Sequence, residues 1–294
     1  MKNVRNTILA GALFAVVNLF AQESPDVQFK TMTNDTPLEE MSNEYLLAHR
    51  VHLRENPSLK SKRIGVLNIG TKLALYEKSE NSVEIDGVES NFYKVRVGNA
   101  EGWVWGGLIA QQTLGSEANY DVKFVYGFES NKINDEGKME SKHQIRAYKN
   151  GRQIDKIVFD APTSAPLEIK NIGNKGLFNV EDILTFQVAN AETGDAIGDS
   201  YIFWNNGKFT NVASLIDYSD ATYTKTESFV FPSDMEGLKS TIVLETIITD
   251  KAREIEGELG VDKKRMVVSF YAWDGHTFSE KETVPPISTD LVIN

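Results

Sequence analysis

Four dipeptides constrain this chain more than any other feature: Asp86-Gly87, Asn150-Gly151, Asn206-Gly207 and Asp274-Gly275. Each stands between runs of branched and aromatic residues, and an Asn or Asp followed by Gly supplies the positive φ angles of a two-residue type I′ turn. Such turns join antiparallel neighbours, so the fold is read as mainly β, built from hairpins. Asn150-Gly151 joins "IRAYK" to "RQIDKIVF", and Asn206-Gly207 joins "YIFWN" to "KFTNV". Asp274-Gly275 joins "VVSFYAW" to the segment that holds Phe278.

Spacing divides the hairpins into two groups. Residues 72–76 and 92–97 are short strands among closely spaced turn signals, including Ile85-Asp86-Gly87-Val88. Short strands packed this densely into about 65 residues suggest a small barrel. Residues 120–283 read as about ten strands of a larger, sandwich-like antiparallel domain. Candidates are Val122–Phe128, Gln144–Tyr148, Gln153–Phe159, Leu184–Val188, Tyr201–Trp204, Ser228–Phe231, Thr241–Ile248 and Met266–Trp273. In "WNNGKF" and "WDGHTF" an aromatic follows a tryptophan by five residues across a turn, the pattern of a cross-strand aromatic pair.

The remaining segments read as punctuation. Lys2 and Arg5 precede an apolar run from Ile8 to Val17 that continues weakly to the small residue Ala21, the three-part pattern of a secretory signal peptide over residues 1–21. The run is too short for a bilayer-spanning helix. Residues 22–44 hold one lysine and six acids and read as a disordered acidic leader. Residues 113–119, "TLGSEAN", read as a linker between barrel (45–112) and β domain, and residues 284–294 as a tail. The chain is expected to be exported, periplasmic or secreted, and not membrane-spanning. The absence of cysteine excludes disulfides, a lipoprotein thiol and a cysteine nucleophile. Residues 45–112 carry nine bases and seven acids, whereas 113–294 carry nineteen bases and twenty-nine acids. So acidic a second half argues against nucleic acid as a partner.

Within the barrel, four motifs occur in order. Leu53-Arg54 is followed by Asn56-Pro57, and Ile64-Gly65-Val66-Leu67 by Gly70-Thr71. Then come Phe92-Tyr93-Lys94-Val95 and Gly102-Trp103-Val104, with Leu108 closing the unit. Over about residues 48–112 this resembles the bacterial SH3-like (SH3b) domains. The resemblance implies an SH3-like barrel that binds peptidoglycan, a glycan or an envelope protein. The chain departs from that pattern twice: Phe92-Tyr93 stands where the family has a tryptophan, and the connection from Glu77 to Asn91 is long and carries its own hairpin signal.

Trp103 and Trp105 are two of only four tryptophans. Side chains two apart on a strand share a face, so the pair should point one way and Val104 the other. Two readings stay open. The pair packs against the barrel or the neighbouring domain, or it forms an aromatic shelf with Tyr93 or Tyr76 nearby. Arg54 is the candidate for a ligand carboxylate or a barrel ion pair. Catalytic signals are sparse: His49 and His52 lack a third metal ligand, His143 and His276 are isolated, and no Gly-x-Ser-x-Gly occurs. No cofactor is implied. The expectation is a non-catalytic envelope-binding protein; the alternative is a cell-wall or glycan hydrolase using paired carboxylates of the β-rich half.

Overall fold

The computed structural model describes residues 42–161, 164–189, 196–251, 262–281 and 287–291. The expected signal peptide, residues 22–41 of the leader and most of the tail lie outside them. Six strands form the first sheet: β1 (Ser42–Tyr45), β2 (Val51–Arg54), β3 (Arg63–Leu67), β4 (Lys72–Ile85), β5 (Val88–Val97) and β6 (Ala100–Trp105). Their order across the sheet is β1-β4-β5-β6-β2-β3. Alternation decides its inner face: Val51, Leu53, Leu73, Leu75, Tyr93, Val95 and Val104 converge in one buried cluster. Gly102 allows the close approach this requires, since a Cβ there would lie 2.8 Å from both the Arg54 carbonyl oxygen and Leu53 Cγ. Ser42–Glu44, counted with the disordered leader from composition, are instead paired strand, running antiparallel to β4. Backbone pairing makes no demand on side-chain polarity, so their composition conceals them.

The second half opens one element earlier than its polar sequence implies. Gln112, read as the last residue of the barrel, and Thr113–Gly115, read as the start of the linker, form strand β7 (Gln112–Gly115), followed by β8 (Val122–Ile133), β9 (Met139–Lys149) and β10 (Arg152–Ala161) in the sheet order β10-β9-β8-β7. Buried Gln112 completes the attachment by imitating a strand: its side-chain amide donates to the Ile169 carbonyl (2.6 Å) and its carbonyl accepts from the Ile169 N–H (2.9 Å). Gln112→Ala leaves both backbone groups buried without a partner, so a urea unfolding curve should show a loss of about 2–4 kcal/mol.

A third sheet holds β11 (Lys170–Asn171), β12 (Asp182–Ala189), β13 (Ala196–Asn205) and β14 (Lys208–Ile216). A fourth holds β15 (Tyr218–Ser219), β16 (Tyr223–Val230), β17 (Ile242–Asp250), β18 (Lys263–Trp273) and β19 (Phe278–Glu280), with β20 (Ile287–Leu291) also on β18. The third sheet lies between its neighbours. Leu184, Phe186, Ile202 and Trp204 meet Phe124, Tyr126, Ile145 and Phe159 on one side. Ile183, Tyr201 and Phe203 meet Phe229 and Ile242 on the other. Burial on both faces explains why "YIFW" is apolar at consecutive positions rather than at alternate ones.

Three of the four tight turns have the predicted geometry, with positive φ at both central residues: 52° and 76° at Asp86-Gly87, 51° and 70° at Asn150-Gly151, 48° and 76° at Asn206-Gly207. The fourth differs. Only Gly275 has positive φ, and the Asp274 carboxylate accepts from the His276 and Thr277 N–H groups, which closes a four-residue loop. Both Trp–Phe pairs stand directly opposite in register. Trp204 and Phe209 are in ring contact at 4.7 Å, whereas Phe278 stacks on Tyr271 and Trp273 meets Phe203 edge-on.

Candidate functional site

Trp103 and Trp105 do share a face, opposite Val104, as the strand period requires. That face is covered. The distal parts of β4 and β5 extend as an arm in which Val83, Ile85 and Val88 fold over Phe92, Trp103 and Trp105, with Phe128 of β8 closing the cluster. The Trp105 indole N–H is shared between the carbonyls of Val83 (3.0 Å) and Ser90 (3.1 Å). At the arm's tip the Asn131 N–H donates to the Asp86 carbonyl at 2.9 Å. Gly87 fits there because it has no side chain: a Cβ would fall 1.6 Å from the Asn131 carbonyl oxygen.

The long connection from Glu77 to Asn91 therefore accounts for the second tryptophan. Trp103 and Trp105 are 9% and 7% exposed, so the open shelf envisaged for them is filled by the chain itself. Tyr93 lies on the opposite, inner face of β5 at 3% exposure, and its burial pushes the phenol pKa up. Arg54 is also buried, and its guanidinium donates to the Ser61 carbonyl at 2.9 Å rather than to a carboxylate. It holds the turn between β2 and β3.

Of the five residues singled out from sequence, only Tyr76 stays on the surface, half-buried on the outer face of β4. Lys94 Nζ and the Arg96 guanidinium lie 5.3 and 5.6 Å from its ring centre, within cation–π range. Lys94 also reaches Glu77 and Glu101 at 3.4 Å each, and Arg96 reaches Glu101 at 3.4 Å. Burial of the hydroxyl, then the neighbouring Glu101, push the Tyr76 phenol up to about 12. The patch thus presents an aromatic ring, donors and acceptors together, the equipment for a sugar or a short peptide. Lys94, Arg96 and Glu101 were not anticipated. Their meeting with Tyr76 depends on a register shift between Leu75 and Glu77 that period-two reading cannot detect.

The barrel meets the second sheet through an apolar contact. Leu47, Ile69 and Ala110 pack with Val125 and Tyr148, and Gly70 leaves room for the Tyr148 ring. With the order of strands, the inner core and the Gly102-Trp103-Val104 ending in place, comparison with known families decides the assignment. Residues 49–110 match the bacterial SH3 domain family. No curated protein and no solved structure matches the chain. The bacterial SH3 domain here is preceded by β1, carries the β4–β5 arm, and is joined to the β-rich remainder by the contact around Tyr148.

Among the described residues no group of three or more His, Asp or Glu is placed to hold a metal ion. In the β-rich half the Asp199 carboxyl is pushed up, first by burial and then by Asp217 nearby. Asp217 accepts the Glu227 N–H at 2.9 Å. Among the described residues, no helix is long and apolar enough to cross a membrane.

Proposed function

We propose that this is an exported, non-catalytic protein of the cell envelope whose bacterial SH3 domain binds peptidoglycan, a glycan or an envelope protein. The family match over residues 49–110 carries the reading. The Tyr76 patch supports it, because a half-buried ring bordered by Lys94, Arg96 and Glu101 offers stacking and charge-assisted hydrogen bonds side by side. The leader pattern of residues 1–21 supports export to the periplasm or beyond.

Sedimentation with purified cell wall tests this. Tyr76→Ala should reduce the bound fraction at least about tenfold, as loss of an aromatic anchor does, with an unchanged circular dichroism spectrum showing that the variant folds. Equal retention of wild type and variant, or retention of neither, contradicts the reading. One observation favours a second reading, hydrolysis through paired acids: the raised Asp199 beside Asp217. Release of reducing ends from wall material by wild type, lost in Asp199→Asn, would reverse the ranking.

A further inference from the structure

Charge within the SH3 domain is concentrated at one hairpin. From His49 to Val66 there are five Lys or Arg residues and a single acid, Glu55, although the whole chain has a formal charge of −11. Arg50, Lys60, Lys62 and Arg63 are exposed, and among the described residues none of them forms an ion pair. Arg50, Arg54 and Arg63 lie close enough to act on one side chain. The His52 pKa is lowered first by burial and then by Arg63, Arg54 and Arg50 in turn.

This hairpin also ends the sheet. Among the described residues β3 pairs only with β2 and stands last in the strand order, so its other side carries the row of N–H and C=O groups of an open edge. On its outer face Ile64 and Val66, two residues apart, are 45% and 55% exposed, with Leu59 of the preceding turn at 44%. An open edge and alternate apolar side chains on a five-residue strand coincide with uncompensated positive charge at its start and in the segments beside it.

We propose that the β3 edge binds an acidic segment in extended conformation, added to the sheet as a further strand. The edge supplies backbone hydrogen bonds, Ile64 and Val66 receive alternate apolar side chains, and Arg50, Lys60, Lys62 and Arg63 select for carboxylates. A second copy of the chain fits poorly, because edge-to-edge pairing would bring two copies of the same positively charged hairpin together. A polyphosphate would use the charge but neither the edge nor the apolar pair. The site is separate from the Tyr76 patch and does not depend on the wall-binding reading.

The test is fluorescence anisotropy with the full chain and a labelled peptide of alternating glutamate and valine. That peptide should bind, and the lysine–valine counterpart should not. N-methylation of alternate residues, which removes the donors along one peptide edge, should weaken binding at least about tenfold. Lys62→Glu with Arg63→Glu should do the same, and Lys62→Arg with Arg63→Lys should restore affinity to within about twofold. Both pairs sit on the surface, so unchanged circular dichroism spectra will confirm that they fold. Absence of binding by the parent peptide, equal binding of its N-methylated form, or tighter binding of a single-stranded oligothymidylate would overturn the proposal.

Discussion

Trp105→Ala is expected to destabilise the protein by about 3–5 kcal/mol, the cost of emptying a buried aromatic site. The indole is 7% exposed, its ring occupies the space over Gly107, and its N–H serves two carbonyls of the arm. Removing it takes away the floor on which Val83, Ile85 and Val88 rest and leaves the Val83 and Ser90 carbonyls without their donor. Trp105→Phe separates these contributions. It keeps most of the apolar contact and removes the donor, so a smaller loss of about 1–3 kcal/mol is expected. Urea denaturation followed by circular dichroism measures both. A tryptophan that existed to meet a ligand would behave otherwise: its alanine variant would lose less than about 0.5 kcal/mol, as exposed positions do.

Trp204→Ala should cost a similar amount, about 3–5 kcal/mol, for a different architectural reason. Trp204 is 1% exposed and points from the middle sheet toward β8, where Phe124 meets it edge-on at 5.5 Å and 76° and Phe209 lies at 4.7 Å. Its neighbour Phe203 points the other way, toward Trp273. Truncation at 204 therefore opens a cavity between the second and third sheets while leaving the opposite layer in contact. Among the described residues the Trp204 indole N–H has no hydrogen-bond partner. Trp204→Phe removes that unpaired donor along with part of the ring, and should cost well under half as much as the alanine variant. Thermal unfolding of the three proteins side by side provides the comparison.

Local chemistry made the hairpins readable. Asn150-Gly151 and Asn206-Gly207 encode left-handed backbone at two successive positions, and few other structures use that pair. Asp274-Gly275 has the same letters and a different turn, because the Asp274 carboxylate captures the N–H groups of His276 and Thr277 and makes a longer loop the better-bonded one. The face shared by Trp103 and Trp105 was likewise legible from the period of a strand. The cover over that face was not. The arm is held by contacts between Asp86 and Asn131 and between Trp105 and Val83, which are distant in sequence and leave no periodic trace. The stacking order of the three sheets was hidden for the same reason, although the unbroken apolar run at Tyr201–Trp204 is the one local sign of a strand buried on both sides. Strand β7 escaped notice because a strand whose side chains are mostly small or polar differs little in composition from a loop.

The arm seals the aromatic face of the SH3 domain against the β-rich half, and every role assigned to Trp103 and Trp105 depends on that seal. Hydrogen exchange of the four tryptophan indoles, followed by NMR with and without solubilised cell-wall fragments, tests it most directly. The Trp105 indole N–H, bonded to Val83 and Ser90, is predicted to exchange only on global unfolding and to keep its chemical shift when fragments are added. Rapid exchange of that N–H in the free protein, or a shift on adding fragments, would show the face to be open and contradict the seal.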